Sequence, residues 1–334
     1  MRSSKGVARG VLTICAGVAL ALSARPAHAQ QQAAGFDLER LYTSAPGGGW
    51  FVMDALDMHG KLGGAVSAVA SYAHNPLRVT DGVQRLTVVS DEAFLQLGFA
   101  ATYDRFRLYF TFDSPLTVQG NSGTLGGYTF TRASVDPASS PDAISHARFG
   151  FDSRLVGDHA APFRLGIGLQ LWVPGGAPGA LRENYLSDGS PGDSLGAYNA
   201  MARVLFAGDI GVVTYAGHVG LHLRQLSDSA TPGSPQGSEA LFGAAGGAKL
   251  SLCAACGMRF VIGPEIFGAS ALRALLGANT TALEGLLTGR VEGNADDAPQ
   301  FRIKLGIGGG LNAHFGAPDA RVVIGVELFE FGTK

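Results

Sequence analysis

Charge is scarce in this sequence: 16% of its 334 residues are Asp, Glu, Lys or Arg, and the formal balance is −2. A domain-wide basic footprint is therefore missing, and no nucleic-acid partner is expected. Cysteine is scarcer, with Cys15, Cys253 and Cys256 alone. A structural zinc wants four ligands, and one Cys-x-x-Cys without a second pair or a nearby histidine does not supply them. Helical periodicity is nearly absent. Beyond the N-terminus no uncharged stretch reaches the roughly 20 residues of a spanning helix, so a membrane protein of this composition must cross with strands. No phosphate loop, cofactor motif or metal constellation is visible, so no cofactor is expected.

What the chain has in abundance is glycine. With 49 Gly and 15 Pro, about one residue in five is one or the other, too many for a helical protein. The 46% hydrophobic content and mean hydropathy of +0.18 exclude a disordered chain.

The first 29 residues read as a cleaved signal peptide. Arg2, Lys5 and Arg9 precede an uncharged run from Val11 to Ser23, and Ala27-His28-Ala29 before Gln30 fits a small-residue cleavage site. The run is too short for an anchor. Cys15 lies inside it without the small residues a lipoprotein signal needs. Removal takes Arg2, Lys5, Arg9 and Arg25, leaving 21 basic residues against 27 acidic ones. In an exported chain, Cys253 and Cys256 are candidates for a local disulfide, free thiols being the other reading.

Period-2 alternation recurs in stretches of about ten residues, the length of a tilted membrane strand. Phe106, Leu108, Phe110 and Phe112 oppose Arg105, Arg107, Tyr109, Thr111 and Asp113. Leu165, Ile167, Leu169, Leu171 and Val173 oppose Arg164, Gly166, Gly168, Gln170 and Trp172, and Val219, Leu221 and Leu223 oppose His218, Gly220, His222 and Arg224. Strands are expected near 62–76, 88–103, 105–113, 144–155, 162–173, 197–207, 210–224, 239–251, 257–268, 281–292, 300–311 and 320–331. Short connections at Asp104, 157–161, Gly208-Asp209, 252–256 and 293–298 alternate with long ones, notably 114–143 and 174–196. An even strand count with short periplasmic turns and long outer loops is the pattern of a closed antiparallel outer-membrane β-barrel in a Gram-negative cell. A periplasmic β-sandwich also alternates. Against it stand apolar faces that run whole strands, aromatics such as Tyr198 and Phe206 near strand ends, and opposite faces that mix Gly with Arg. A charge at lipid-facing Ile167 should cost about 2 to 4 kcal/mol, and a substituent at inward Gly168 far less.

Several segments carry a resemblance. Phe36-Asp37-Leu38-Glu39-Arg40-Leu41, Ala45-Pro46, Phe51-Val52-Met53-Asp54, Asn75-Pro76-Leu77, Asp104-Arg105-Phe106-Arg107-Leu108 and Gly263-Pro264-Glu265 together resemble the N-terminal barrels of OmpA-like outer-membrane proteins. More loosely they are similar to FadL-type and aromatic-degradation-pathway channels. The resemblance implies a porin-like transport architecture rather than catalysis. Relatives of the OmpA type often add a peptidoglycan-binding domain; here the sequence stops at Phe331-Gly332-Thr333-Lys334, so none is expected. The last strand, with Phe329 and Phe331, resembles a C-terminal signal for the barrel-assembly machinery.

On this register the inward face carries Arg105, Arg107, Arg148, Arg154, Arg164, Arg203, Arg224, Lys249, Arg259, Arg290, Arg302, Lys304 and Arg321. Against them stand Asp113, Asp152, Glu265, Glu284 and Glu327. Much of the remaining acid (Asp136, Asp142, Glu183, Asp188, Asp193, Asp228) falls in outer loops. A pore lined by cations attracts anions, which suggests a small-solute channel with a mild anion preference. Alternatively the arginines pair with the five carboxylates and fill a closed lumen, since twelve strands make a modest barrel. Residues 30–61 precede the first strand, and either enter the pore as a plug, as in FadL-type transporters, or lie in the periplasm.

An enzyme is not expected. Inward His218 and His222 lie about 13 Å apart at strand rise and cannot share a metal; Glu265 could oppose them only through a contact across the lumen, and no nucleophile is marked. A structural or adhesive barrel working through its loops is the other alternative. The polar loop 120–142 suits solvent exposure, and Ala269–Leu276 reads as a short loop helix with Ser270 as N-cap. Outer-membrane lipid, the assembly machinery and small solutes are the expected partners.

Overall fold

In the computed structural model, residues 40–130, 132, 146–174, 198–224, 237–253, 255, 257–293, 300–312 and 316–332 are described, with the short strands Gln31–Gln32, Ala34–Phe36 and Tyr185–Leu186. The expected signal peptide lies outside them, as do the loop acids Asp136, Asp142, Glu183, Asp188, Asp193 and Asp228.

Twelve antiparallel strands close into a barrel. They are β1 (Lys61–Thr80), β2 (Arg85–Tyr103), β3 (Phe106–Gln119), β4 (His146–Val156), β5 (Arg164–Pro174), β6 (Asn199–Ile210), β7 (Val213–Arg224), β8 (Glu239–Cys253), β9 (Met258–Ala271), β10 (Thr281–Gly293), β11 (Gln300–Gly310) and β12 (Ala320–Gly332). Closure is made by β12 on β1, from Ala320 opposite His74 down to Gly332 opposite Lys61. Every strand therefore has two neighbours, which leaves no unpaired edge.

The alternation in the sequence maps onto inside and outside. On β12, Val322, Ile324, Val326 and Leu328 are exposed while Arg321, Val323, Glu327 and Phe329 are buried. On β11, Ile303, Leu305 and Ile307 face out, and Arg302 and Lys304 face in. The exterior is thus a continuous apolar band, the reverse of what water favours. Polar and charged groups are collected in the interior.

Five local expectations give way to the structure. Strands β1 to β3 run well past 76, 88 and 113, because the pattern is reset at Asn75-Pro76. There Asn75 takes φ +53 and the register shifts between His74 and Leu77, the behaviour of a β-bulge. Beyond the bulge, Leu77, Val88, Val89, Phe94 and Val118 form a second small core with Leu125 and Phe130 of the hairpin Gly123–Leu125/Tyr128–Phe130. This part of the 120–142 loop is packed rather than solvated.

The turn expected at Gly208-Asp209 falls at Gly211-Val212, where Gly211 supplies φ +59. Asp209 stays in β6, held by Arg164 and Lys249, each at 2.8 Å. The expected loop helix shrinks to a single turn of 3₁₀-helix, Leu272–Ala274, whose N-cap position is Ala271. Ser270 belongs to β9, and its hydroxyl accepts the Leu276 N–H at 2.7 Å. Finally, Gly168 is not a cheap position. A Cβ there would stand 2.5 Å from Oδ1 of Asp152, a fully buried carboxylate held by Arg107.

Candidate functional site in the barrel lumen

The site is the lumen itself, and the residues that fill it come first from the chain ahead of β1. Gly47-Gly48-Gly49 lets this segment double back. Gly47 and Gly49 take φ +81 and +95, and a Cβ on Gly48 would meet the Ala45 carbonyl at 2.8 Å and the Asp54 carboxylate at 2.9 Å. The fold-back is tied by Ser44 N–H to Phe51 O at 2.7 Å and Ala55 N–H to Gly48 O at 2.8 Å. It turns Trp50, Phe51, Val52, Met53, Leu56 and Met58 into a buried knot packed on wall residues from β1, β6, β9, β10 and β12, among them Val69, Leu205, Val261, Leu286 and Val323.

Glycines on the inner wall provide the room. A Cβ on Gly247 would come within 2.8 Å of Trp50. On Gly306 it would stand 3.0 Å from the Phe51 ring, and on Gly325, 3.1 Å from that same ring.

Polar groups of the wall then grip the segment along its length. Near the long-loop end, Arg40 pairs with Glu239 at 2.8 Å. Arg148 donates to Thr43 O at 2.6 Å and to the Thr111 hydroxyl at 3.0 Å. Mid-lumen, the Glu265 carboxylate accepts the consecutive N–H groups of Phe51 and Val52, both at 2.9 Å, and the Thr288 hydroxyl at 2.7 Å. Asp54 and Asp152 share Arg107, with Arg203 at 3.5 Å from Asp152. Towards the short turns, Arg302 reaches Asp57 at 3.0 Å, Gly47 O at 3.0 Å and Glu292 at 2.9 Å. Lys304 pairs with Glu327 at 2.7 Å and points at the Trp50 carbonyl. Arg290 stacks on the Trp50 ring at 4.6 Å and Lys304 on Phe51 at 5.0 Å. At the lower end, Gly60 O accepts the Asp104 N–H at 2.8 Å in the β2–β3 turn.

Most of the residues expected to line a pore are buried on the inner side of the barrel wall. Arg107, Arg148, Arg154, Arg164, Arg203, Arg224, Arg290, Arg302, Lys304, Arg321, His218, His222 and Glu265 are all buried. One is misplaced by the alternation. Arg105 sits in the tight β2–β3 turn, half exposed beside Asp104, because the strand begins at Phe106. Arg259 lies at the start of β9 with a partly exposed side chain, 3.7 Å from Glu292.

The sequence reading undercounted acid. Glu92, Glu239 and Glu292 are buried on the inner face, and Asp54 comes in with the inserted segment. Glu239 and Glu292 share the parity of Leu241 and Arg290, so a stricter use of the alternation would have found them. Among the described residues the buried charges number eleven cations against nine acids.

His222 lies 3.7 Å from Glu239 and packs between Tyr42 and Trp172, with ring centroids at 5.2 and 5.5 Å. No group of three His, Cys, Asp or Glu suited to a metal occurs among the described residues. Cys253 is disulfide-bonded; Cys256 lies outside the described residues.

Phe329, assigned from sequence to an assembly signal, turns inward under the Arg302 guanidinium at 4.3 Å. Small cavities lie between the segment and the wall. One cavity of about 30 Å³ borders Tyr42 and Val52, and another of about 20 Å³ borders Thr43 and Arg148.

No protein-family model matches the sequence, and no curated protein matches it. Solved structures resemble it in architecture. An outer membrane channel from Pseudomonas putida F1 is 13% identical, over 81% of this chain and 96% of that one, with a TM-score of 0.48. The NanC porin is 6% identical over 80% and 98%, with a TM-score of 0.43. The β domain of the Bordetella autotransporter BrkA is 11% identical over 80% and 99%, with a TM-score of 0.42.

Proposed function

We propose that this chain is an outer-membrane barrel whose lumen is a path for small solutes, closed at rest by its own residues 40–60. The observation that carries this reading is the mode of attachment. Up to Gly60, whose carbonyl accepts the Asp104 N–H at its end, the segment is held by side chains of the wall and pairs with no barrel strand, so it can leave without breaking the barrel. An apolar exterior band suits lipid, and closure satisfies the backbone there.

Selectivity follows from the same inventory. Departure of the segment removes Asp54 and Asp57 and releases Arg107, Arg148 and Arg302 towards the lumen. The wall keeps ten buried cations against eight buried acids among the described residues. A mild anion preference is the expected result. The reading is of a channel and not an enzyme: the inward histidines serve packing and binding, His222 between two aromatic rings.

The dense filling favours a second reading, a permanently closed structural barrel that works through its loops. One experiment separates the two. The refolded chain and a variant lacking residues 30–58 are compared in planar bilayers under a salt gradient. Steady, anion-leaning conductance in the variant, above that of the intact chain, supports the plugged channel. A folded but silent variant overturns it in favour of the structural barrel.

A further inference from the structure

The short-turn rim of the barrel has a step in it. The last pair between β7 and β8 is Val213 with Ala248, and the Lys249 N–H reaches the Val212 carbonyl just past it, at 2.7 Å. Strand β8 runs on to Cys253, paired there with β9 alone among the described residues. The β8–β9 hairpin therefore projects beyond the β6–β7 turn, and an open cleft of about 390 Å³ occupies the corner between them. That volume is in the range of clefts that take organic ligands.

Two kinds of surface meet in the cleft. Val212 and Leu250 are exposed and border its apolar side, Leu250 on the lipid-facing row of β8. Lys249, Ser251 and Arg259 share the other face. Lys249 and Ser251 are two residues apart on β8, and Arg259 of β9 stands directly opposite Ser251. Side chains at such direct and diagonal positions start about 5 to 8 Å apart. An exposed hydroxyl thus lies between an ammonium and a guanidinium, all three within reach of one anion.

Both cations keep donors to give. Lys249 spends one of its three protons on Asp209 at 2.8 Å. Arg259 stands 3.7 Å from Glu292, and its Nε has no hydrogen-bond partner among the described residues. Neither carboxylate lines the cleft, and each is shared with other cations: Asp209 with Arg164 at 2.8 Å, Glu292 with Arg302 at 2.9 Å and Arg290 at 3.3 Å. Among the described residues the lining holds two cations and no acid. An anion entering it gains charge-assisted hydrogen bonds.

We infer that this cleft binds the headgroup of an anionic phospholipid from the adjoining leaflet. The phosphodiester oxygens accept from Lys249, Arg259 and the Ser251 hydroxyl, and the hydrocarbon next to the headgroup lies on Val212 and Leu250. Free phosphate leaves that apolar side uncovered. A zwitterionic headgroup brings its own ammonium up to the two cations of the cleft, which an anionic one does not. The site is on the rim, outside the filled lumen, so it stands whether or not the barrel conducts.

The test is native mass spectrometry of the full chain, refolded in detergent and checked by heat-modifiability on a gel. Phosphatidylglycerol, phosphatidylcholine and inorganic phosphate are titrated in turn. One phosphatidylglycerol per chain, held about tenfold more tightly than phosphatidylcholine and not displaced by inorganic phosphate, is the expected result. Arg259→Gln should weaken that preference, and Ser251→Glu, which sets a carboxylate at an exposed position between the cations, should abolish it. Arg105→Gln removes a cation from the β2–β3 turn at the same end of the barrel and should leave it unchanged. Failure to retain phosphatidylglycerol, equal retention of the two lipids, or displacement by inorganic phosphate overturns the inference on the unaltered chain, whether or not the variants fold. A loss in Arg105→Gln as large as in Arg259→Gln overturns it too, since the attraction then belongs to the rim as a whole.

Discussion

Glu265 shows how much a single side chain contributes to the closed lumen. Its carboxylate receives two consecutive backbone N–H groups and one hydroxyl while fully buried. Glu265→Gln keeps the shape but turns an amide donor towards groups that are themselves donors. The loss should be about 1.5 to 3 kcal/mol of seating energy, read as more frequent openings in single-channel records at unchanged barrel melting.

At the short-turn end, His159 stacks on His59 with ring centroids 4.1 Å apart. Burial first, then the neighbouring His59, Arg154 and Arg164, hold its pKa below the ordinary value, with Asp57 opposing. The neutral ring is therefore the one the fold favours. Its contribution is complete above the unfolded pKa near about 6.5 and is lost as pH falls through the lower folded value. Acidification from neutrality should lower the hydrogen-exchange protection factors around residues 55–60, and His159→Gln should flatten that dependence. Neither residue was legible as a partner of the segment in the sequence. Glu265 stood out on the inward face, but alternation says nothing of what an inward side chain meets, and His159 lies in a turn, where no period exists.

At the scale of the strand, the alternation was enough to find twelve strands and their inner faces, because lipid-side and lumen-side positions differ so sharply in polarity. It failed where backbone geometry resets the period, at the Asn75 bulge, and where a turn slides by three residues, at Gly211. It also missed what the inner glycines are for. Gly306 and Gly325 flank the Phe51 ring, and the nearest atoms to a Cβ on Gly306 are side-chain atoms of Phe51 and Leu286. Gly306→Val therefore adds a good strand former to β11 while pressing on the seated segment. The barrel should melt no earlier, and conductance should rise towards that of the chain lacking residues 30–58. A variant that stays as closed as the original would show that Phe51 moves aside without unseating its neighbours.

For the whole molecule, the direction of the inserted segment matters more than its presence. Arg40 meets Glu239 at the start of β8, and Gly316 in the β11–β12 connection packs on the Arg40 side chain. Both belong to the long-loop end. Gly60 meets the β2–β3 turn at the opposite end. The chain therefore descends through the lumen before β1 begins, and what precedes Arg40 emerges among the long connections, where Phe36 pairs with Tyr185 and Ala34 with Leu186. No sequence pattern carried this. The segment lacks a period, its glycines signal only a turn, and its direction is fixed by contacts with residues some 200 positions away. With long loops outward, Gly35→Cys should react in intact cells with a maleimide too bulky to pass porins. Val212→Cys, in the exposed β6–β7 turn, should react only after the outer membrane is broken. Protection of Gly35→Cys until lysis would mean that the segment enters from the periplasmic side, and that the grip of Arg40 on Glu239 is not how the lumen is closed.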